Sequence, residues 1–552
     1  MRERVRALLR PLARRHASRR YLPNWSALGL PAHESPNGSR VLLATMAGGN
    51  LQAMNVERLL AAALTVRGHH VDAVLCDGAL PACIECSYLV IAPSRMASAG
   101  PSESMCRQCT ATGVRALESA GASLHSLSKW ILPEDHAEAE RLSESALDVA
   151  SLTLDDIAIG QHARAGALRF EARAVLADGP ESQRILLRYL RAAVLTCRAT
   201  QRMIEDLAPD VIVLQHGIYV PQGVVVETAK TQGVRVVTWT SGYPESSMLF
   251  AHGDTYHRTM LAETPADWAD VEWTPQRAQA TREYLDSRRT GSRDWIRFGS
   301  AQASALAESL PQVVLDPRPL VLVLPNVSWD AQIHFEGRAF ASQTDWLLHT
   351  IEWARTRPDL QIVIRAHPGE VTGFLPAQDP LREILPIAHL PENVSFVDST
   401  SPTSTYELVD LANVVIVYGT KVGVEALAQG RPVITVGEAW IRGKELSIDV
   451  ETSTEYQRVL DQLPFADGIA PEHTDRALRY AHHLFLRRMI PVRALQRVTH
   501  PGPGRPLYWA VVPARQSLAP EQDTGLDAVC KGIVEGTSFV LDSASPPQPP
   551  AA

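Results

Sequence analysis

Short apolar runs separated by helix-length amphipathic stretches recur along this chain, and that alternation predicts parallel sheets covered by helices. Val41-Leu42-Leu43-Ala44 reads as a buried strand. It runs into Ala47-Gly48-Gly49-Asn50, and an apolar helix is predicted from Leu51 to Val66. Gly68 ends that helix and Val71 to Leu75 is the next strand, a βαβ opening. A mostly helical stretch, 135–208, follows. Val211-Ile212-Val213-Leu214 and Val234-Arg235-Val236-Val237-Thr238 then read as two more strands with a helix between them. Beyond a helical connection, strand candidates appear at Leu320 to Leu324, Ile362 to Ile364, Val394 to Val397, Val414 to Val417 and Val433 to Val436. Their continuous β-branched character is that of strands buried on both faces.

The fold class expected is therefore α/β, with two Rossmann-type doubly wound domains facing across a cleft. The predicted organisation starts with a basic arm over 1–38. An N-terminal domain over 39–260 carries a cysteine loop (76–109) and a helical insertion (135–208). A helical connection over 261–317 leads to a C-terminal domain over 318–465. Helices over 466–515 pack back on the first domain, and 516–552 is a mostly disordered tail, Ser/Pro/Ala-rich from Ser543. A length of 552 residues suits two domains with appendages.

A net charge of −8 excludes a coat for nucleic acid, and no nucleic-acid partner is expected. The first 20 residues nevertheless hold eight arginines and one acid, Glu3, with Val5, Leu8, Leu9 and Leu12 on one helical face. Two readings follow: a helix lying on an anionic membrane surface, or a solvated leader. An Arg-rich, acid-poor start also has the composition of an organelle transit peptide. No apolar run reaches the ~18 residues of a membrane span, and the arginines interrupt any signal-peptide core. Cytoplasmic placement is expected; on the first of these two readings residues 1–20 attach the protein to the inner membrane face, and on the second they do not.

Several strand ends carry candidate chemistry. Arg365-Ala366-His367-Pro368-Gly369-Glu370 follows a strand and puts two donors suited to phosphate oxygens at the mouth of the sheet. The alternative is a histidine that satisfies a turn carbonyl. Tyr418-Gly419-Thr420-Lys421-Val422-Gly423-Val424-Glu425 breaks from a strand into a helix whose N-terminus exposes unpaired N–H groups. Thr420 adds a hydroxyl, Lys421 a charge, and Glu425 a carboxylate able to hold ribose hydroxyls; the alternative for Glu425 is a surface acid facing the helix dipole. Gly437-Glu438-Ala439-Trp440, with Arg442 and Lys444 close behind, is a loop able to frame a base or sugar through Glu438.

These turns, in this order, together with Trp329-Asp330 and Gly430-Arg431-Pro432-Val433, resemble the capsule polysaccharide biosynthesis family, which includes capsular Kdo transferases. The resemblance spans roughly 205–500 and is densest from 320 to 460. It implies a GT-B-like fold and a glycosyltransferase using a CMP-, CDP- or UDP-linked sugar on a glycolipid or polysaccharide acceptor. It implies donor-phosphate contacts from Arg365 and His367, a pocket lined by Thr420, Lys421 and Gly423, and sugar or ribose contact from Glu425. No catalytic metal is expected. Sugar-nucleotide epimerases and glycerophosphotransferases on related folds are the alternative enzymes, and an assembly factor of a polysaccharide machine is the non-catalytic one.

The first domain is then expected to serve the acceptor. His216, Glu245 and Asp254 follow its predicted strands and are candidate general bases, with His257 nearby. Finally, Cys83-x2-Cys86 and Cys106-x2-Cys109 have the spacing of a closed Zn(Cys)4 site, so a structural zinc is expected; an iron–sulfur cluster is the alternative, and Cys76 lies close enough to substitute.

Overall fold

The computed structural model describes residues 17, 19–30, 38–145, 148–295, 308, 310–314, 316–330, 338–372, 375–465, 468–499 and 506–541. Most of the basic arm lies outside the described residues. So does the tail from 542.

The first sheet contains β1 (Arg40–Met46), β2 (His70–Leu75), β3 (Ser123–Ser126), β4 (Val211–Gln215), β5 (Arg235–Ser241) and β6 (Ser247–His252). Its parallel part runs in the order β3-β2-β1-β4-β5. The second sheet contains β7 (Leu320–Leu324), β8 (Gln361–Arg365), β9 (Val394–Val397), β10 (Val414–Val417), β11 (Val433–Thr435) and β12 (Ile448–Asp449). It is parallel throughout, in the order β12-β11-β10-β7-β8-β9. Both orders reverse direction beside their first strand. That leaves a crevice at the carboxyl ends of β1 and β4, and another at those of β7 and β10. The expected pair of doubly wound domains is what the chain forms.

Two elements depart from the reading of the sequence. The run 247–251 is a strand, β6, which turns back antiparallel on β5. The stretch after 488 is not helical: β13 (Met489–Pro491) pairs antiparallel with β6, and Leu495–Arg497 pairs with Tyr508–Ala510. Residues 516–541 are also ordered. Asp523 caps the helix Thr524–Glu535, whose Leu526, Val529, Cys530 and Ile533 are buried against the first domain. Their i, i+3, i+4, i+7 spacing is that of one helical face.

The helix Leu51–Val66 shows why that return matters. It is apolar almost all round because it is covered twice, by the sheet and by the C-terminal elements. Its Arg58 stacks 4.0 Å from the Trp25 ring and donates to the carbonyls of Pro23 and Ala510. Its Glu57 is fully buried and accepts from the hydroxyl of Thr45 of β1. Burial pushes this carboxyl up to about 8. The native state therefore keeps a proton that the unfolded chain releases from about pH 4.5 upward. Stability should fall as pH rises between those values and level off above them. Glu57→Gln is expected to abolish that slope and to stabilise the protein by a few kcal/mol at pH 8. Denaturant midpoints against pH check this; an unchanged slope in the variant would reassign the proton.

Candidate active site at the facing sheet edges

The carboxyl edge of the first sheet faces that of the second, and side chains from both meet between them. On the first side, β4 ends at Gln215 and the chain turns sharply. His216, Gly217 and Tyr219 all have positive φ, 59°, 72° and 67°. For His216 and Tyr219 this is strained backbone, of the kind held only where surrounding contacts over-determine it. The N–H of His216 donates to Trp239 O at 2.9 Å. Asn50 ties the crevice together: its carbonyl oxygen caps the helix Leu51–Val66 at Ala53 N, and its amide donates to Gln215 Oε1 at 3.1 Å. The His216 ring sits 6.0 Å from that of Tyr256. Burial, with Arg169 adding to it, lowers its pKa to about 4, so the imidazole is neutral at physiological pH.

On the second side, the turn after β8 presents His367. The Gly369 N–H donates to its Nδ1 at 2.9 Å, which leaves the proton of the neutral ring on Nε2. Burial first, then the charges of Lys421 and Arg365, lower its pKa to about 4. The turn after β10 presents Lys421, whose ammonium lies 4.5 Å from the Trp440 ring centre and 4.9 Å from that of Tyr243. Tyr243 belongs to the first domain, so the cation stands between the lobes. Trp440 Nε1 donates to His257 Nδ1 at 3.1 Å, and Tyr219 Oη lies 3.5 Å from Asp330 Oδ1. These two contacts flank the lysine and span the same gap.

Several expected site residues are used otherwise. Arg365 is buried, and its guanidinium is spent on the carbonyls of Ala366, Asp398, Ser401 and Thr403. It shapes the turn and leaves no fork for phosphate. Glu425 is buried against Arg288 at 3.0 Å, so it holds the domain junction together instead of facing a ribose. Tyr418 stacks on Trp346 in the core. Glu438 pairs with Arg338. Arg442 donates to the carbonyls of Thr435, Gly437 and Val450, and Lys444 to those of Leu261 and Glu263. Gly423 is buried where a Cβ would press on Ile441. Gly419 and Thr420 stay at the strand end; Thr420 Oγ1 accepts from Val422 N at 3.4 Å.

Of the three candidate bases, His216 lies directly at the carboxyl end of β4, against the Tyr256 ring. Glu245 is paired with Arg497. Asp254 is paired with Lys230 at 3.0 Å. It follows β6, which carries the chain back from the carboxyl edge to the level of Thr238, whose hydroxyl donates to the Asp254 carbonyl. Three cleft residues escaped the reading of the sequence: Tyr219, Tyr243 and Arg288. Only the Tyr-Pro turn after β5 hinted at any of them.

With this geometry in view, comparison with known proteins places the second domain. Residues 299–462 match the family model of the capsule polysaccharide biosynthesis proteins. The matched residues include His367, Lys421 and Trp440. Among solved structures, the chain is similar to the KpsC β-Kdo 2,4 transferase of Thermosulfurimonas dismutans, at 12% identity over 50% of this chain and 80% of that one, TM-score 0.34. It is similar to the β-Kdo 2,7 transferase of the same organism at 14% identity, over 52% and 80%, TM-score 0.31. The UDP-GlcNAc 2-epimerase of Neisseria meningitidis aligns at 11% identity over 80% and 94%, TM-score 0.22. No curated protein matches the chain. Among the described residues, no helix is long and apolar enough to cross a membrane.

Proposed function

We propose that the protein is a glycosyltransferase that moves a sugar from a nucleotide-activated donor, held by the second domain, to an acceptor hydroxyl presented at the first, in the making of a surface polysaccharide. The observation that carries this reading is the position of Lys421: a cation at the crevice of one doubly wound sheet, caged by aromatic rings from both lobes, next to a neutral histidine. Phosphate is the ligand such a pair suits. The lysine neutralises charge, and the Nε2–H of His367 donates to a phosphate oxygen without adding a second cation. In the transfer, the acceptor oxygen bonds to the anomeric carbon as the bond from that carbon to the phosphate oxygen breaks. The nucleoside phosphate leaves, its negative charge held by Lys421. His216 takes the acceptor proton. The match of residues 299–462 to capsule-biosynthesis proteins supports the reading from an independent side.

A panel of CMP-, CDP- and UDP-sugars tests it. One of them should raise the thermal midpoint, since at 100 times its Kd a ligand stabilises the folded state by about 2.7 kcal/mol. The same donor with a polysaccharide or glycolipid acceptor should release nucleoside phosphate and form a new glycoside. Release of an epimerised nucleotide sugar instead, or no shift with any nucleotide, would overturn the proposal.

A further inference from the structure

Five of the seven cysteines surround one cavity beside the carboxyl ends of β1 and β2, a feature the transfer reaction does not use. Cys76 follows β2 directly. Cys83 and Cys86 lie on the turns after it, and Cys106 and Cys109 on the first turns of the helix Glu103–Glu118. The rest of the lining is mostly apolar, including Met46, Leu80, Met105 and Pro221, with one carboxylate, that of Glu85.

The thiols are held there by specific contacts. The Gly49 N–H donates to Cys109 Sγ at 3.0 Å. A backbone donor aimed at sulfur is a lever by which proteins tune iron–sulfur centres. Thr110 Oγ1 lies 3.0 Å from the carbonyls of both Cys76 and Cys106, and Tyr189 Oη donates to Cys83 O at 3.2 Å. At Gly48 a Cβ would lie 2.5 Å from Cys109 O, so only glycine lets the cysteine-bearing helix approach the end of β1.

The spacing of the sulfurs discriminates between metals. Four thiolates on one zinc, each at about 2.3 Å, must all lie about 3.8 Å from one another. Cys83 and Cys86 come close to this at 4.0 Å. Among the described residues, however, no group of three or more Cys, His, Asp or Glu side chains is gathered as a single ion requires. The thiols ring a cavity of about 30 Å³ instead, more than the ~10–15 Å³ that one water needs. A cluster, which interposes iron and sulfide between its thiolates, fits a ring of separated sulfurs. We propose that Cys83, Cys86, Cys106 and Cys109 ligate an iron–sulfur cluster in this cavity, with Cys76 at its rim. The cluster fastens the turns over 76–109 to the edge of the first sheet, where Ile84 packs with Ala47 and Tyr219. The proposal does not depend on the transferase reading.

The test is the metal and sulfide content of the full chain, produced with added iron and isolated without oxygen. Iron and acid-labile sulfide are expected in equal amounts, two or four of each per chain, with visible absorption that bleaches on reduction. Cys83→Ser and Cys106→Ser should reduce both to background. Cys197→Ser, on the buried face of the helix Pro180–Leu207, should keep both. One zinc per chain without sulfide would overturn the cluster, and so would a wild-type chain that holds neither metal. Because the wild-type stoichiometry decides, misfolding of a variant does not blunt the test.

Discussion

Lys421→Ala will lower sugar transfer about 10²- to 10³-fold at saturating donor, the usual effect of deleting one preorganised group at a developing anion. The thermal midpoint should stay within a few degrees of wild type, because among the described residues no hydrogen bond uses this ammonium; its contacts there are the ring faces of Trp440 and Tyr243. Lys421→Arg should recover only part of the rate, since a planar guanidinium does not occupy the same cage as a compact ammonium. The loss should appear in kcat more than in KM, because the charge on the leaving phosphate grows as the bond to the sugar breaks. A variant within tenfold of wild type in kcat would remove Lys421 from the chemistry.

Arg288→Ala will cost about 3–5 kcal/mol of stability, the range for stranding buried charges. Arg288 is 8% exposed and lies between Asp294 at 2.6 Å and Glu425 at 3.0 Å. Its guanidinium packs 5.0 Å from Tyr243 and 4.8 Å from Phe485. Removing it leaves two carboxylates facing a low-dielectric space with no cation. The paired change Arg288→Met with Glu425→Leu should restore part of the loss, because only Asp294 is then left as a buried carboxylate without its cation. Denaturant unfolding of the two variants beside wild type measures both effects. A loss under about 1 kcal/mol for Arg288→Ala would mean that water reaches the junction.

Local signals were easy to read in this chain. The β-branched runs of both sheets and the glycine turns that close them are dense and contiguous, so the two Rossmann-type orders could be expected. His367 and Lys421 could be placed because each sits directly after a strong strand. The misplacements share a cause. Arg365, Glu425 and Glu438 look from their neighbours like binding groups, but their partners lie elsewhere in the chain. Arg288 is 137 positions before Glu425, and Arg338 is 100 before Glu438. Nothing near them in sequence announces those pairings. Asp254 follows β6, a strand not seen in the apolar run before it, and is paired with Lys230, while Tyr256 two residues on reaches the His216 ring. The helix Thr524–Glu535 was hidden by its neighbourhood, a Pro- and Ser-rich tail that masks one clean apolar face.

The return of the chain to the first lobe also sets an order of events during synthesis. The second sheet can close once residue 449 has left the ribosome, because all six of its strands are then available. The first sheet begins earlier but must wait for Met489–Pro491 to cover the flank of β6, and for residues 508–535 to roof the helix Leu51–Val66. The lobe made first is therefore finished last, and a nascent chain stalled with residue 460 just outside the ribosome should carry a completed C-terminal lobe beside an N-terminal one that proteases still cut.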